Sequence, residues 1–288
     1  MPPALPALPV PELPEAETVR RGLAGELAGR WLVGVDATGA RSVRRHPDPG
    51  ELHARLAGRR VTEVGRHGKY LLLRTDGEEV AVVHLGMAGQ VRVDGEGSLR
   101  PPHTHVAAAL DDGRELRFVD PRTFGEFFVS AGSDRPGGRP KELAHLGFDP
   151  LEDRVGPARF ASLLASRRMQ LKPLLMGQRL VAGIGNIYAD EILWAAALRP
   201  DRVAAGLSAA EAAELRRKML SVLRAAVRAG GSTLGDRSYV NVYGAPGRYQ
   251  RSHRAYGMEG RPCARCGTPI ARVRWGGRST FFCPGCQR

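Results

Sequence analysis

The stretch "CARCGTPIARVRWGGRSTFFCPGC", Cys263 to Cys286, contains all four cysteines of the chain, arranged as two Cys-x-x-Cys pairs. Each pair presents two thiolates from one tight turn, and sixteen residues separate the pairs. That is metal spacing rather than a scattered disulfide framework. Four sulfur ligands leave no open position for water, so the expected cofactor is one structural Zn2+ held by Cys263, Cys266, Cys283 and Cys286. Between the pairs, the residues on either side of Gly276-Gly277 read as two strands. A hairpin this short cannot fold by burial alone and would depend on the metal. Its tip carries Arg274 and Arg278, suited to a phosphate backbone.

The remainder of the chain is as basic as that tip. Of 288 residues 43 are Lys or Arg against 30 Asp or Glu, a formal charge of +13, which calls for a polyanion or an anionic membrane as partner, nucleic acid first. Only Lys69, Lys141, Lys172 and Lys218 are lysines. A GC-rich genome favours arginine codons, but codon bias does not force an excess of bases over acids. No run of eighteen apolar residues occurs, and the amino terminus lacks the charged-then-apolar signature of a secretion signal, so a cytoplasmic location without a membrane partner is expected. The length suggests two domains.

Upstream of the cysteines the texture changes twice. Residues 1–10, "MPPALPALPV", hold four prolines and no charged side chain, and read as a leader outside the fold. Glu15 to Leu27 places Val19, Leu23 and Leu27 at fourfold spacing behind a first turn of acids, as in an amphipathic helix. From Trp31 to about Val129 short apolar runs alternate with turn signals, Asp76-Gly77 and Asp112-Gly113 among them, giving a β-sandwich or barrel-like sheet over 11–130. Residues 131–150 form a linker around "AGSDRPGGRP". Helical patterns follow over Pro157–Ser166, Leu171–Met176, Ile187–Ala197 and Ser208–Ala229, the last opening on the capping box Ser208-x-x-Glu211, within a helical domain spanning 151–236. Residues 237–250 are a polar, glycine-containing loop, and 251–288 the zinc finger. The fold class is α+β in two domains.

In "LVAGIGNIYADE", Gly183 and Gly185 permit a tight turn into a helix whose first amides, with Asn186, could grip a phosphate; a plain helix-turn-helix packing element fits equally well. Taken together, "PELPEAETVRRGL" (Pro11–Leu23), "GKYLLL" (Gly68–Leu73), "HLGMAG" (His84–Gly89), "DPRTFG" (Asp120–Gly125), "LKPLLMGQRLVAGIGNIYADE" (Leu171–Glu191) and the four-cysteine tail occur in an order that resembles the formamidopyrimidine-DNA glycosylases. The resemblance covers Pro11 to Arg288. It implies an N-terminal β-sandwich with an N-terminal helix, then a helix-two-turn-helix domain ending in the zinc-finger hairpin, with double-stranded DNA in the cleft between domains. It also implies a monomer working on the DNA of a bacterial nucleoid, excising oxidised purines and then cutting the strand at the abasic site.

Residue by residue, the same resemblance puts an attacking proline at Pro11 and a general acid at Glu12, with Glu15 a weaker carboxylate candidate. Lys69 would act as an acid or phosphate contact near the lesion. Arg278 would support the second elimination, and since arginine stays protonated its role is electrostatic. DNA contacts fall on His103, Arg122, Arg167 and Asn186, with Lys172 a further phosphate ligand. Met87, Arg122 and Phe124 would fill the void left by a flipped nucleotide. Without the resemblance Met87 and Phe124 would be read as core residues, and Glu12 and Glu15 as acids that favour a helix start; Glu17 is read only in that second way. Loop 237–250 would cap the flipped base.

Two features depart from the pattern. Thr123 and Arg248 stand where relatives often carry a second arginine and an aromatic residue. More seriously, Pro11 follows Val10, so its nitrogen is a planar amide with a delocalised lone pair and cannot attack. The favoured expectation is that Val10 is a GUG start codon read as valine, so that initiation there followed by methionine removal exposes Pro11. Otherwise the leader is cleaved, or, with residues 1–10 retained, the chain is a non-catalytic zinc-dependent protein that binds damaged DNA. An endonuclease VIII-like enzyme for oxidised pyrimidines is the remaining alternative.

Overall fold

The computed structural model describes residues 11–132, 138–235 and 239–288; the leader, part of the linker and the start of the 237–250 loop lie outside the described residues. Helix α1 runs over Leu13–Leu27, two residues earlier than the spacing suggests, because Pro14 in its first turn needs no amide partner and Glu15 Oε2 accepts the Glu12 N–H at 2.9 Å. Strands β1 (Trp31–Ala37), β2 (Arg59–His67), β3 (Tyr70–Thr75), β4 (Val80–His84), β5 (Gln90–Asp94), β6 (Thr104–Leu110), β7 (Glu115–Val119) and β8 (Glu126–Ser130) follow. Both Asp-Gly pairs lie in hairpin turns, β3 to β4 and β6 to β7.

All eight strands pair antiparallel in the order β5-β7-β6-β1-β2-β3-β4-β8. β1 and β2 share only the pairs Trp31↔Arg60 and Leu32↔Arg59, so the sheet bends there into two four-stranded halves. Their inner faces close on one core holding Leu32, Val106 and Phe118 from one half and Val64, Leu71 and Phe127 from the other, with Val19, Leu23 and Leu27 of α1. A short helix, α2 (Gly50–Leu56), interrupts this otherwise β-rich half. Only Leu52 and Leu56 mark it in sequence, too short a period to read.

The helical half contains α3 (Pro157–Ala165), α4 (Leu171–Met176), α5 (Asn186–Ala195) and α6 (Ala209–Arg228), packed around Phe160, Ile184, Ile192, Leu215 and Leu223. Ser208 caps α6, its hydroxyl accepting the Glu211 N–H at 3.3 Å. Strands β9 (Ala271–Trp275) and β10 (Arg278–Phe282) make the C-terminal hairpin, turning at Gly276-Gly277, both at positive φ.

A buried ion pair joins the halves. The Arg66 guanidinium, wholly inside, contacts both carboxylate oxygens of Asp149, and its Nε lies 3.1 Å from Glu17 Oε2. Burial opposes ionisation of Glu17, yet Arg20, Arg21 and Arg66 hold it down to about 2. Glu17 is therefore more than a helix-start acid: it ties α1 to β2 through Arg66. Removing one partner of a buried pair costs about 3–5 kcal/mol because the other charge is left uncompensated. Asp149→Ala is accordingly expected to lower the urea-unfolding free energy by roughly that amount, with a shifted midpoint and an unchanged slope.

Candidate active site

The centre of the site is the amino end of α5. The carboxylate of Glu12, the residue just before α1, lies across it and accepts the N–H groups of Gly185 (2.6 Å), Ile187 (2.8 Å) and Tyr188 (3.3 Å). These amides are free donors at a positive helix end, so a carboxylate is their natural partner. The approach demands glycine: a Cβ on Gly185 would lie 2.5 Å from Glu12 Cδ. The carbonyl of Gly183, a residue at φ +94°, accepts the Leu13 N–H at 2.9 Å. Here the sequence expectation is corrected. The Gly185 cap and two of the first α5 amides hold a protein carboxylate rather than a phosphate, and only Asn186 of that turn is left for an external anion.

Burial pushes Glu12 up to about 7, against the pull of the Lys69 ammonium and of the Ile187 and Gly185 amides, while Glu15 adds to the rise. Such a carboxyl exists in both protonation states near neutrality, as a general acid requires. Glu15 is equally buried but saturated: it accepts from Glu12 N, Tyr188 Oη (2.6 Å) and Ser232 N (2.6 Å). That ties α1, α5 and the segment after α6 together, and makes Glu15 an orienting group.

Lys69 follows the β2–β3 turn, whose Gly68 N–H is held by Asp149 at 2.8 Å. Burial depresses its pKa, opposed by the Glu12 and Glu15 carboxyls and assisted by the Arg278 guanidinium, so its charge is felt by all three. Among the described residues Lys69 has no direct hydrogen-bond partner, which leaves its ammonium free for a ligand. Pro11 is buried beside Glu12.

Lys172 is placed differently from its expected phosphate role. Only 4 % of its side chain is exposed; Nζ lies 2.8 Å from Asp190 Oδ1 and donates to Ser279 O (3.0 Å) and Thr280 Oγ1 (2.8 Å). Two of its N–H bonds are spent on the hairpin and its charge is set against Asp190, so this buried ammonium is not presented to DNA.

The expected wedge residues sit on two touching loops. Met87 is half-buried in the β4–β5 turn, where a Cβ on Gly86 would lie 2.3 Å from Gly125 N, next to Phe124. Phe124 is 48 % exposed, against the core reading, and the Arg122 guanidinium lies 5.3 Å from its ring centre. The buried Asp120 carboxylate fixes this loop by accepting from Arg122 N and Gly125 N at 3.2 and 2.6 Å. Arg41, which the sequence did not single out, lies 6.0 Å from the same ring. No linear motif marks it, since it comes from the distant segment after β1. His103 (φ +66°) and Arg167 are exposed. In the described part of the 237–250 loop, Val242 enters the sandwich core and Tyr243 Oη donates to Glu26 of α1 at 2.9 Å, while Tyr249 packs in the helical core.

The four cysteine sulfurs lie within 4.8 Å of one another, Cys263 to Cys286 at 3.8 Å and Cys266 to Cys283 at 3.4 Å. Thiolates about 2.3 Å from zinc stand roughly 3.8 Å apart at tetrahedral corners, so the donor set fits. N–H groups of Trp194 and Arg265 point at Cys263 Sγ, at 3.3 and 3.4 Å, and stabilise a thiolate.

A zinc-braced hairpin, a helix-turn-helix segment, exposed cationic and aromatic loops, and a neutral-poised buried acid define an enzyme that handles nucleic acid. Family models for the formamidopyrimidine-DNA glycosylase N-terminal domain, the H2TH domain of that enzyme, and the zinc finger found in FPG and IleRS match residues 10–127, 146–238 and 260–288. The chain belongs to the formamidopyrimidine-DNA glycosylase family. It is 43 % identical to the formamidopyrimidine-DNA glycosylase of Nocardia farcinica, covering 96 % of this chain and 98 % of that one, and 44 % identical to that of Mycolicibacterium smegmatis, covering 96 % and 97 %. The crystal structure of the MutM (FPG) protein of Thermus thermophilus superposes with a TM-score of 0.84 at 42 % identity over 96 % of this chain and 98 % of that one. A Lactococcus lactis Fpg complex with DNA containing an abasic site gives 0.83 at 30 % identity over 96 % and 99 %. The structural zinc finger, the sandwich and the H2TH domain are thus shared features of a DNA repair glycosylase family.

Because the core around the hairpin is small, with Ala255, Ile270, Phe281 and the cysteines backed by Trp194, Tyr256 and Met258, chelating the zinc should unfold it locally. Loss of the ion, followed with a colorimetric chelator, is expected to abolish duplex binding while the near-ultraviolet signal of the sandwich core is kept.

Proposed function

We propose that the protein is a bifunctional DNA glycosylase and abasic-site lyase of base excision repair, acting on 8-oxoguanine and formamidopyrimidines in duplex DNA. The observation that carries this reading is Glu12: a buried carboxyl poised near pH 7, seated on α5 amides beside Pro11 and facing the Lys69 ammonium. Solved Lactococcus lactis Fpg complexes with DNA containing Fapy-dG support the substrate class. The flipped nucleotide would leave a gap that Met87, Arg122 and Phe124 fill, while His103, Arg167 and Asn186 hold phosphates. The chain works as a cytoplasmic monomer.

Attack on C1′ needs a nitrogen lone pair. As the secondary amine of a free end, Pro11 displaces the base and forms an iminium, with Glu12 protonating the ring oxygen as the sugar opens. The cation then serves as an electron sink for loss of the 3′-phosphate and afterwards the 5′-phosphate. Lys69 and Arg278 offset the charge that develops on the departing groups. On this reading the working enzyme begins at Pro11, next to residue 10, where the match to the N-terminal-domain family model opens.

Intact-mass analysis of native protein is expected to show Pro11 as the first residue, and borohydride with an 8-oxoguanine duplex to trap a covalent adduct that N-terminal blocking prevents. A stable, active species beginning at Met1 or Pro2 would remove the mechanism. Glu12→Gln should lower base excision about 10²–10⁴-fold while sparing binding. Since the acid must be protonated, excision should fall as pH rises through about 7. The same raised pKa means the folded state holds this proton longer than the unfolded chain. Stability should therefore decline between pH 4.5 and about 7, and Glu12→Gln should flatten that slope. Cutting of thymine glycol in preference to 8-oxoguanine opposite C would favour the endonuclease VIII-like alternative.

A further inference from the structure

Lys172 on α4 and Asp190 on α5 meet where the helical domain grips the zinc hairpin. Besides the Lys172 bonds to Ser279 O and Thr280 Oγ1, Asp190 Oδ2 accepts the Phe281 N–H at 3.0 Å. Three consecutive residues immediately after Arg278 thus hang on a single buried ion pair. Below these residues the hairpin is held by the metal site at Cys283 and by Phe281 and Phe282, which pack against Tyr256 and the Arg199 guanidinium. Its tip is unsupported, with nothing within 4 Å of a Cβ placed on Gly276 or Gly277. At about 3.3 Å per strand residue, zinc alone would leave Arg278 at the end of a lever roughly 17 Å long. A two-stranded ribbon is at best marginally stable by itself and would not hold a guanidinium still over that distance.

We propose that Lys172 and Asp190 are positioning residues for the second elimination, a buried ionic strut that fixes strand β10 and with it Arg278, the residue on which that strand opens. This rests on the lyase reading given above. The first elimination removes a C2′ proton and expels the 3′-phosphate; the second removes a C4′ proton and expels the 5′-phosphate, and a cation fixed in advance stabilises that leaving dianion. Displacement of about 1 Å is enough to lose on the order of 10²-fold in such a step. The strut also accounts for a lysine in a basic, DNA-binding chain whose side chain is only 4 % exposed.

The test uses zinc-loaded enzyme beginning at Pro11 and a preformed abasic duplex, with a Lys172→Met/Asp190→Asn double variant that leaves no lone buried charge. Zinc content and borohydride trapping should stay within about twofold of the parent, while the ratio of second to first elimination falls about tenfold or more. Arg278→Ala should give the same shift, and adding it to the double variant should cause no further loss. Thr280→Val, which removes one acceptor and keeps the ion pair, should move the ratio in the same direction by a smaller factor. An unchanged ratio in both sets of variants, or losses that multiply in the triple variant, would overturn the strut. So would weaker binding whose log-log salt slope drops by about 0.9, the mark of a lost phosphate contact. A parent that leaves abasic duplex uncut would instead remove the lyase reading itself.

Discussion

A carboxylate from one domain seated on the helix end of the other is the contact on which this molecule depends. Glu12 belongs to the sandwich half by chain connectivity, but its hydrogen bonds belong to α5. Both sides need the arrangement. The α5 amides would otherwise be buried donors without acceptors, and Glu12 would be a buried charge without compensation. The outcome is a carboxyl stabilised enough to stay in place, yet desolvated enough to titrate near neutrality.

Helix α5 serves every other part of the site in turn. Tyr188 reaches Glu15, Asp190 holds the hairpin at Phe281, and Glu191 accepts three consecutive amides from Arg254 to Tyr256. One ten-residue helix with three polar side chains turned inward, Tyr188, Asp190 and Glu191, would be a poor choice for stability alone, since a buried polar group is useful only when it finds partners. Here each partner lies on a different element, so α5 registers the N-terminal helix, the sandwich and the zinc hairpin against one another. Arg66 does similar work across the opposite side of the junction through Glu17 and Asp149. Exposed pairs such as Arg217 with Glu214 contribute far less, because water screens them.

Much of the architecture was legible from local patterns. The cysteine pairs declared the metal site, the Asp-Gly turns declared two hairpins, and Ser208-x-x-Glu211 marked the start of α6, because each is a short-range device whose physics is complete within a few residues. The short helix α2 escaped, as one and a half turns carry too little period to stand out from strand texture. Phe124 could not be separated from a core residue by hydrophobicity; its exposure depends on where the Asp120-fixed loop ends.

Sequence by itself determined the order of elements, the zinc ligands, the excess of positive charge and the family motifs, since these are properties of composition and spacing. Tertiary structure decided what the charged residues do. Lys172 looked like a phosphate ligand until Asp190 and the hairpin were found around it, and the amides of α5 looked like an anion cradle until Glu12 was found inside it. Both outcomes turn on side chains far apart in the chain meeting in a buried place, where desolvation makes a partner obligatory. No linear pattern records which partner that will be.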